Sequence, residues 1–196
     1  MAERKAKVTR ETAETNVRVE LNIDGRGEFE ITTGIRMLDH FLSQLARHGI
    51  FDLSISATGA DQHHVVEDVA ISLGKAFNQA LGKKEGIVRM GHGVAPMDDT
   101  VAMVAVDIGG RPYSVLDIPF TETKIGELSS DLVRHFLVSF AAEAKINLHA
   151  RVIAGINDHH KAEAVFKALA RALDAATRLD PRIKGRVPST KEFIEG

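Results

Sequence analysis

The feature that most constrains this chain is a short motif that occurs twice. DQHHVVE (Asp61 to Glu67) and NDHHKAE (Asn157 to Glu163) share one order of residue types: a helix-capping residue, two adjacent histidines, and a glutamate four positions after the first histidine. The two histidine pairs are 159 − 63 = 96 residues apart, about half of the 196-residue chain. A repeat with this period predicts two similar structural units that arose by internal duplication.

The helical segment that precedes the motif is duplicated as well. MLDHFLSQLARH (37–48) corresponds to LVRHFLVSFAAE (132–143), so that His40 corresponds to His135. Their separation of 135 − 40 = 95 residues agrees with that of the histidine pairs to within one loop residue. The repeat therefore includes a third histidine in each half.

Alternating apolar and polar segments complete each repeat and predict strands. In the first half these are VRVELNI (17–23), EFEI (28–31) and DLSISAT (52–58), and in the second VAMVAV (101–106), PYSVLDI (112–118) and NLHARVI (147–153). Glycine-bearing turns at Asp24-Gly25 and Gly109-Gly110 would join the first two strands of each half. The predicted order of elements in each half is therefore strand, strand, helix, strand, helix. The predicted class is α+β, with two similar α/β half-domains that each pack helices on one face of a β-sheet.

Composition excludes several functions. A net charge of −2 and a pI near 6.5 provide no general attraction for nucleic acid or anionic membrane. With no cysteine, thiolate catalysis and Cys-ligated metals are excluded. The N-terminal MAERKAK lacks the apolar core of a signal peptide, which favours a cytoplasmic protein. We expect a flexible N-terminus (1–9), half-repeats at 10–93 and 94–184, and a C-terminal tail (185–196).

The spacing within the motif indicates how its side chains point. Positions i and i+4 of a helix share a face, whereas adjacent residues diverge by about 100°. His63 and Glu67 can therefore point one way and His64 another, although Glu67 could also join His64 at i+3. Asp61 and Asn157 occupy helix N-cap positions, which places each histidine pair in a first turn, at an accessible helix end.

Neutral imidazole and carboxylate groups in this pattern indicate divalent metal ions. Each half offers three histidines and one glutamate, enough for two ions that each use both halves, and zinc, iron, nickel and manganese all suit such ligands. The duplicated groups are His40, His63, His64, Glu67, His135, His159, His160 and Glu163. The other histidines, His48, His92 and His149, have ordinary structural explanations, which for His48 is a cation at the negative end of the helix dipole.

An anion site would require arginine forks beside glycine-rich loops. Arg89, in GIVRMGHG, and Arg111, in DIGGRPY, fit that description, as do Ser189, Thr190 and Lys191 of the tail. Each is a weak signal by itself, because such residues are more often simply solvated.

Taken together, six segments resemble the imidazoleglycerol-phosphate dehydratase family of histidine biosynthesis. They are LDHFL with RHG (from Leu38), HHVVEDVAI (from His63), PMDD (from Pro96), DIGGRPY (from Asp107), NDHHKAEAVFKALARAL (from Asn157) and PSTK (from Pro188). The resemblance extends from about Arg10 to Lys191. Where many relatives have Asp-Glu, this chain has Asp98 and Asp99.

The resemblance implies a lyase that dehydrates D-erythro-imidazoleglycerol phosphate to imidazole acetol phosphate. It implies two Mn²⁺ ions per active site, which bind and polarise the substrate imidazole, and a homo-oligomeric cage of 24 subunits built from trimers, with active sites shared between chains. The implied metal ligands are the eight duplicated groups, and five of them, His40, His63, Glu67, His159 and Glu163, are implied to be catalytic together with Glu14.

Substrate-binding residues are implied as well. Arg89, Arg111, Ser189 and Lys191 match the positions that hold the substrate phosphate, with Thr190 between the last two. Glu14 matches the family's proposed acid/base, and the stretch from Leu38 to His48, with His40 and His48, borders the substrate.

Two other functions fit the same residues. Paired His/Glu sites also occur in dinuclear metallohydrolases, here one acting on a phosphorylated small molecule, which would release phosphate. A metal-dependent assembly module would use the histidines only to join subunits.

Overall fold

The computed structural model of the chain describes residues 4–183 and 185–194. The first half comprises β1 (Lys5–Glu11), β2 (Thr15–Asn22), β3 (Phe29–Thr32), α1 (Arg36–Gly49), β4 (Asp52–Gly59) and α2 (Gln62–Leu81). The second half comprises β5 (Met90–Met97), β6 (Thr100–Asp107), β7 (Tyr113–Asp117), the short β8 (Lys124–Ile125) and β9 (Leu128–Ser129), α3 (Ser130–Ala144), β10 (Asn147–Ala154) and α4 (Asp158–Thr177). The duplication predicted from the sequence is confirmed.

Each half forms a four-stranded sheet with the same strand order, β1-β2-β4-β3 and β5-β6-β10-β7. The first two predicted strands of each half do not pair across their turn, because β4 lies between β2 and β3 and pairs antiparallel with one and parallel with the other. The reason is burial. The inward residues of β2 and β4, such as Val19 and Ile55, are fully buried, whereas the four-residue β3 is mostly exposed and suits a sheet edge.

Two edge strands, β1 and β5, were not predicted. β1 occupies most of the N-terminal segment 1–9 that was expected to be flexible, and its residues Lys5 to Glu11 pair with β2. Its inward positions are only half-buried, which is why its apolar pattern is weak. β5 begins at Met90, so that the second sheet starts four residues before the expected boundary at residue 94.

The helices of the two halves face each other between the two sheets, with α2 against α3 and α1 against α4. Each half therefore packs its helices on one face of its sheet, as predicted. α2 and α3 approach closely at Gly74, where a Cβ atom would lie 2.6 Å from the carbonyl oxygen of Phe140. Glycine inside a helix costs about 1 kcal/mol relative to alanine, so its use here indicates that the close contact is structurally required.

The second half carries an insertion that the first half lacks. Three residues separate β3 from α1, whereas residues 118–129, with the β8–β9 hairpin, separate β7 from α3. The insertion is held by a buried ion pair, since Asp158 Oδ2 accepts hydrogen bonds from the backbone N–H groups of Thr121 and Glu122 (2.7 Å each), while Asp158 Oδ1 lies 2.7 Å from Lys161 Nζ. The inserted segment thereby abuts the start of α4.

Among the described residues, none of the helices combines the length and apolar character that a bilayer span requires.

Candidate functional site

Both histidine pairs lie in the first turn of a long helix, as predicted. At the start of α2 the side chain of Asp61 accepts a hydrogen bond from the backbone N–H of His64 (3.1 Å). At the start of α4 the side chain of Asn157 accepts from the backbone N–H groups of His159 (2.9 Å) and His160 (3.3 Å). Both predicted N-caps are confirmed. Capping fixes the helix ends and hence the directions of the histidine side chains.

The first cluster, here called the Glu163 cluster, consists of His40, His159 and Glu163, whose ligand atoms lie within 4.8 Å of one another. Glu163 Oε2 lies 2.8 Å from His40 Nε2 and 3.2 Å from His159 Nε2. The glutamate is buried and the two imidazoles are partly exposed. Phe41 stacks on Phe166 beneath the cluster, with ring centroids 5.1 Å apart, and provides its apolar floor.

The second cluster, the Glu67 cluster, consists of His63, Glu67 and His135, and it meets the same 4.8 Å limit. The rings of His63 and His135 lie 4.8 Å apart. His135 Nε2 lies 3.6 Å from Glu67 Oε1, too far for a hydrogen bond, and this buried nitrogen has no hydrogen-bond partner among the described residues. A buried imidazole nitrogen that faces a histidine and a glutamate without a partner is what a metal ligand requires.

Each cluster draws on both halves of the chain. His40, from α1, completes the motif of the second half, and His135, from α3, completes the motif of the first half. The structure also decides between the two spacings that the sequence left open, because Glu67 groups with His63 at i+4 and not with His64 at i+3.

A cation distinguishes the two clusters. Lys167 Nζ lies 2.6 Å from Glu163 Oε1, whereas the corresponding position in α2 is Ile71. Burial of Glu163 raises the pKa of its carboxyl group, but hydrogen bonds and charge from Lys167 and His40 outweigh burial and lower this pKa to about 2. Glu163 is therefore ionised and available as a metal ligand at any physiological pH. Sequence reasoning missed Lys167, although its i+4 spacing from Glu163 was a usable signal.

His64 and His160 belong to neither cluster. In each ring, Nδ1 lies close to one carboxylate, and Nε2 faces a second carboxylate at a longer distance. His64 Nδ1 lies 2.5 Å from Asp61 and its Nε2 lies 3.4 Å from Glu14. The hydrogen bond with Asp61 is the largest of the causes that raise the pKa of His64.

His160 has an analogous environment in the second half. Its Nδ1 lies 2.5 Å from Asp99 and its Nε2 lies 3.4 Å from Asp98. The hydrogen bond with His160 is the largest of the causes that lower the pKa of Asp99. The sequence interpretation identified none of the three aspartates, Asp61, Asp98 and Asp99, as a site residue.

Arg89 is the best organised of the candidate anion-binding residues. Its Nε and Nη2 groups donate to the carboxylate of Asp107 (2.7 and 3.0 Å), and Nη1 donates to the carbonyl oxygen of Pro188 (2.9 Å). An arginine carries five N–H donors, so two remain for a ligand. The same guanidinium connects the end of the second sheet to the C-terminal tail, next to Ser189.

The other candidates lie on the surface. Arg111, Ser189, Thr190 and Lys191 are half-buried or exposed, and the backbone N–H of Lys191 donates to the hydroxyl of Ser189 (3.2 Å). Glu14 is exposed in the turn before β2.

The three remaining histidines belong to neither cluster, although the charge of Glu163 acts on His48. His48 is near Lys167 and Arg171, and burial followed by these charges lowers its pKa, which disfavours the charged form that a helix-dipole role would need. His92 and His149 flank Ala105 on the exposed face of the second sheet.

The sequence of this chain is similar to those of known proteins. The family model described as imidazoleglycerol-phosphate dehydratase matches residues 33–173. The chain is 57% identical over 195 residues to the imidazoleglycerol-phosphate dehydratase of Dehalococcoides mccartyi (strain ATCC BAA-2266 / KCTC 15142 / 195), with 100% of both chains covered. It is 53% identical to that of Chloroflexus aurantiacus, over 97% of this chain and 95% of the relative.

The chain belongs to the imidazoleglycerol-phosphate dehydratase family. It is accordingly a hydro-lyase.

Solved structures of this dehydratase family share the fold. The enzyme of Staphylococcus aureus N315 superposes with a TM-score of 0.83 at 32% identity and covers 90% of this chain and 99% of its own. The enzyme of Pyrococcus furiosus, in complex with (S)-C348, has a TM-score of 0.83 at 34% identity, with coverage of 95% and 100%. The dehydratase family model includes the six clustered residues, Arg89 and Arg111, whereas Glu14 and the tail lie outside the matched range.

Proposed function

We propose that this chain dehydrates D-erythro-imidazoleglycerol phosphate to imidazole acetol phosphate in histidine biosynthesis, with two Mn²⁺ ions at the active site. The observation that carries the proposal is the pair of His/His/Glu clusters, each assembled from both halves, in a chain that belongs to the dehydratase family.

The residues present fit divalent metal ions. Each cluster offers two imidazole nitrogens and a carboxylate within 4.8 Å, and the unpartnered buried nitrogen of His135 would gain a partner. Three protein ligands leave coordination positions for a further histidine and for substrate. When bound, the manganese ions would act as Lewis acids toward the ring nitrogens of the substrate imidazole. The eight duplicated histidines and glutamates would hold the ions.

The chemistry explains why such a site is needed. Dehydration breaks one C–H bond and one C–O bond, releases water and gives an enol that becomes the ketone. The hydrogen removed is not adjacent to a carbonyl group, so a base acting alone would face a high barrier. Glu14 is exposed, its carboxylate lies 3.4 Å from His64 Nε2, and we assign proton transfer to this carboxylate.

The remaining residues would fix the other end of the substrate. Arg89 and Arg111 would bind the phosphate together with Ser189, Thr190 and Lys191 of the tail. The contact between Arg89 and Pro188 supports this role for the tail because it holds the residue before Ser189 against the guanidinium. Binding energy from a phosphate far from the reacting bonds orients the substrate without changing its chemistry. His40 and His48 would border the same substrate.

We also propose that the chain assembles into trimers and a cage of 24 subunits with shared active sites. His64 and His160 lie outside both clusters of their own chain, which supports their use as ligands by neighbouring subunits. The exposed face of the second sheet carries a group of apolar side chains beside His92, His149, Asp117 and Arg151, whereas the equivalent face of the first sheet carries mainly lysine, arginine, glutamate and serine. Its apolar residues are Met90, Val94, Met103, Val115 and Ile153. A face of this composition on one sheet only suits burial against another copy.

The proposal is tested with protein loaded with Mn²⁺ and supplied with imidazoleglycerol phosphate. We expect imidazole acetol phosphate, with the phosphate ester intact. Release of free phosphate would instead indicate a metallohydrolase. With assembly retained, Glu14→Gln should abolish or strongly reduce kcat, and Arg111→Ala should lower kcat/KM by raising KM. Full activity in both variants would leave only the assembly function.

A further inference from the structure

The hydrogen bonds of His64 and His160 reveal a feature that the duplication alone does not explain. In both halves the second histidine of the motif makes a 2.5 Å contact from Nδ1 to an aspartate, Asp61 in the first half and Asp99 in the second. The two contacts are alike, yet the aspartates occupy different places in the repeat.

The repeat places these two aspartates at non-equivalent positions. Asp61 is the N-cap of α2, and its counterpart at the start of α4 is Asn157, whose side chain accepts backbone N–H groups and does not contact the ring of His160. Asp99 precedes β6, where the first half has Glu14 before β2. The same contact is thus supplied from two different positions. A feature that persists while its source changes is better explained by a required role than by common descent of the two halves.

Asp99 is itself held in place. Its Oδ2 accepts hydrogen bonds from the backbone N–H groups of Ile156 (2.6 Å) and Asn157 (3.1 Å), which leaves Oδ1 for His160. The carboxylate therefore connects the turn before β6 to the loop before α4. Its orientation toward the imidazole is fixed by the backbone.

The contact determines which ring nitrogen carries the proton. An ionised carboxylate only accepts hydrogen bonds, so a neutral histidine bound to it carries its proton on Nδ1 and its lone pair on Nε2. In both histidines Nε2 lies 3.4 Å from a second carboxylate, that of Glu14 or Asp98, beyond normal hydrogen-bonding distance. Metal binding requires such a lone pair, and a carboxylate on the opposite nitrogen is the usual device that secures it.

We propose that Asp61 and Asp99 are positioning residues that hold His64 and His160 as Nδ1–H tautomers, so that each presents Nε2 to a divalent metal ion. This inference rests on the proposed metal centre. It assigns to this chain two residues outside the eight metal ligands, and it gives Asn157 and Asp99 different roles from those of their counterparts in the first half.

The decisive variant is Asp99→Asn. The amide oxygen can keep the two backbone hydrogen bonds, while the amide NH₂ group would donate to Nδ1 of His160 and shift the imidazole proton to Nε2, the nitrogen needed by the metal. We expect Mn²⁺-loaded Asp99→Asn to lose its metal at a chelator concentration about 10–100-fold lower than wild type, as for other outer-shell carboxylates. Asp61→Asn should behave alike.

Two further variants separate positioning from folding or charge. Asp131→Asn removes a charge from the first turn of α3, where the aspartate accepts from Ser129 and contacts no histidine, and it should retain Mn²⁺ as wild type does. Asp99→Glu keeps a carboxylate and should retain Mn²⁺ more tightly than Asp99→Asn. Wild-type retention by both Asn variants, or equal loss in Asp99→Glu and Asp99→Asn, would overturn the proposal.

His160→Ala distinguishes this inference from the function on which it rests. If His160→Ala loses Mn²⁺ while Asp99→Asn retains it, the metal centre stands and only the positioning role fails. If His160→Ala itself retains Mn²⁺ fully, the ligand assignment fails and the positioning role fails with it.

Discussion

His40 Nε2 and Glu163 Oε2 lie 2.8 Å apart, although the two residues come from opposite halves of the duplicated chain. The reciprocal pair, His135 and Glu67, is related in the same way at 3.6 Å. Neither half contains a complete cluster by itself, because each supplies the motif of one cluster and the third ligand of the other. The duplication therefore explains both why there are two clusters and why the halves depend on each other.

The first prediction concerns the two cluster glutamates. Glu163→Gln and Glu67→Gln each replace one anionic ligand with a neutral group of the same shape, so each should remove one ion and leave the other in place. Metal analysis of purified protein should show about one Mn²⁺ per chain in either variant, against about two in wild type. Two retained ions in both variants would contradict the ligand assignment. Glu143→Gln, on α3 outside both clusters, is the matched control.

The sequence predicted most of this arrangement because the relevant patterns are local. N-caps, helix periodicity and the repeat period follow from backbone geometry, and they placed Asp61, Asn157 and the two histidine pairs correctly at the helix ends. They left open whether Glu67 groups with His63 or with His64. The grouping of His40 with Glu163 is not local. It depends on how α1 packs against α4, and helix packing across 123 residues of sequence leaves no periodic trace.

The parts that were missed have physical reasons as well. β1 and β5 are edge strands with half-buried or glycine-containing inner faces, so their alternation is weak. Asp99 reaches His160 only because the turn before β6 adjoins the loop before α4. Strand order could not be inferred either, because pairing of β2 with β4 in place of β3 depends on the burial of whole strands.

The second prediction concerns the buried ion pair that anchors the inserted segment. Asp158 and Lys161 are both buried, with side chains 4% and 3% exposed. Asp158→Asn would leave the Lys161 ammonium without its counter-charge, and the loss of one partner of a buried pair costs about 3–5 kcal/mol. The free energy of unfolding in urea should fall by this amount. Asp117→Asn, which breaks the exposed pair with Arg151, should cost about 0–1 kcal/mol.

The same ion pair predicts a pH dependence. Burial raises the pKa of Asp158, but hydrogen bonds from Glu122, Lys161 and Thr121 outweigh it, and the pKa lies below its usual value of 3.8. A lowered carboxyl pKa contributes stability that is present above pH 3.8 and lost as the pH falls through the pKa of the folded state. The difference in unfolding free energy between wild type and Asp158→Asn should therefore be constant from pH 7 to about pH 4.5 and shrink below pH 3.8. A constant difference down to pH 2 would contradict this account.

The third prediction separates the two arginines of the proposed phosphate site. The guanidinium of Arg111 is exposed and makes no hydrogen bond within the described part of the chain. Arg111→Ala should therefore weaken substrate binding without disturbing the protein structure. Arg89→Ala would also remove the hydrogen bond to Pro188 and release the tail. We expect KM to rise about 10-fold or more in both variants, since a charge-assisted hydrogen bond contributes about 1.5–3 kcal/mol. Proteolytic cleavage after Arg186 should accelerate only in Arg89→Ala, and equal cleavage rates in the two variants would refute the tether.

The fourth prediction links metal ions to assembly. If His64 and His160 serve neighbouring subunits, ions bind the associated state more tightly than the separate chains, and mass action then favours the assembly. Removal of Mn²⁺ by a chelator should lower both the activity and the molar mass measured by light scattering. Addition of Mn²⁺ should restore both, whereas Mg²⁺, which prefers oxygen ligands, should restore neither. Unchanged mass after complete removal of the metal would confine the ions to catalysis.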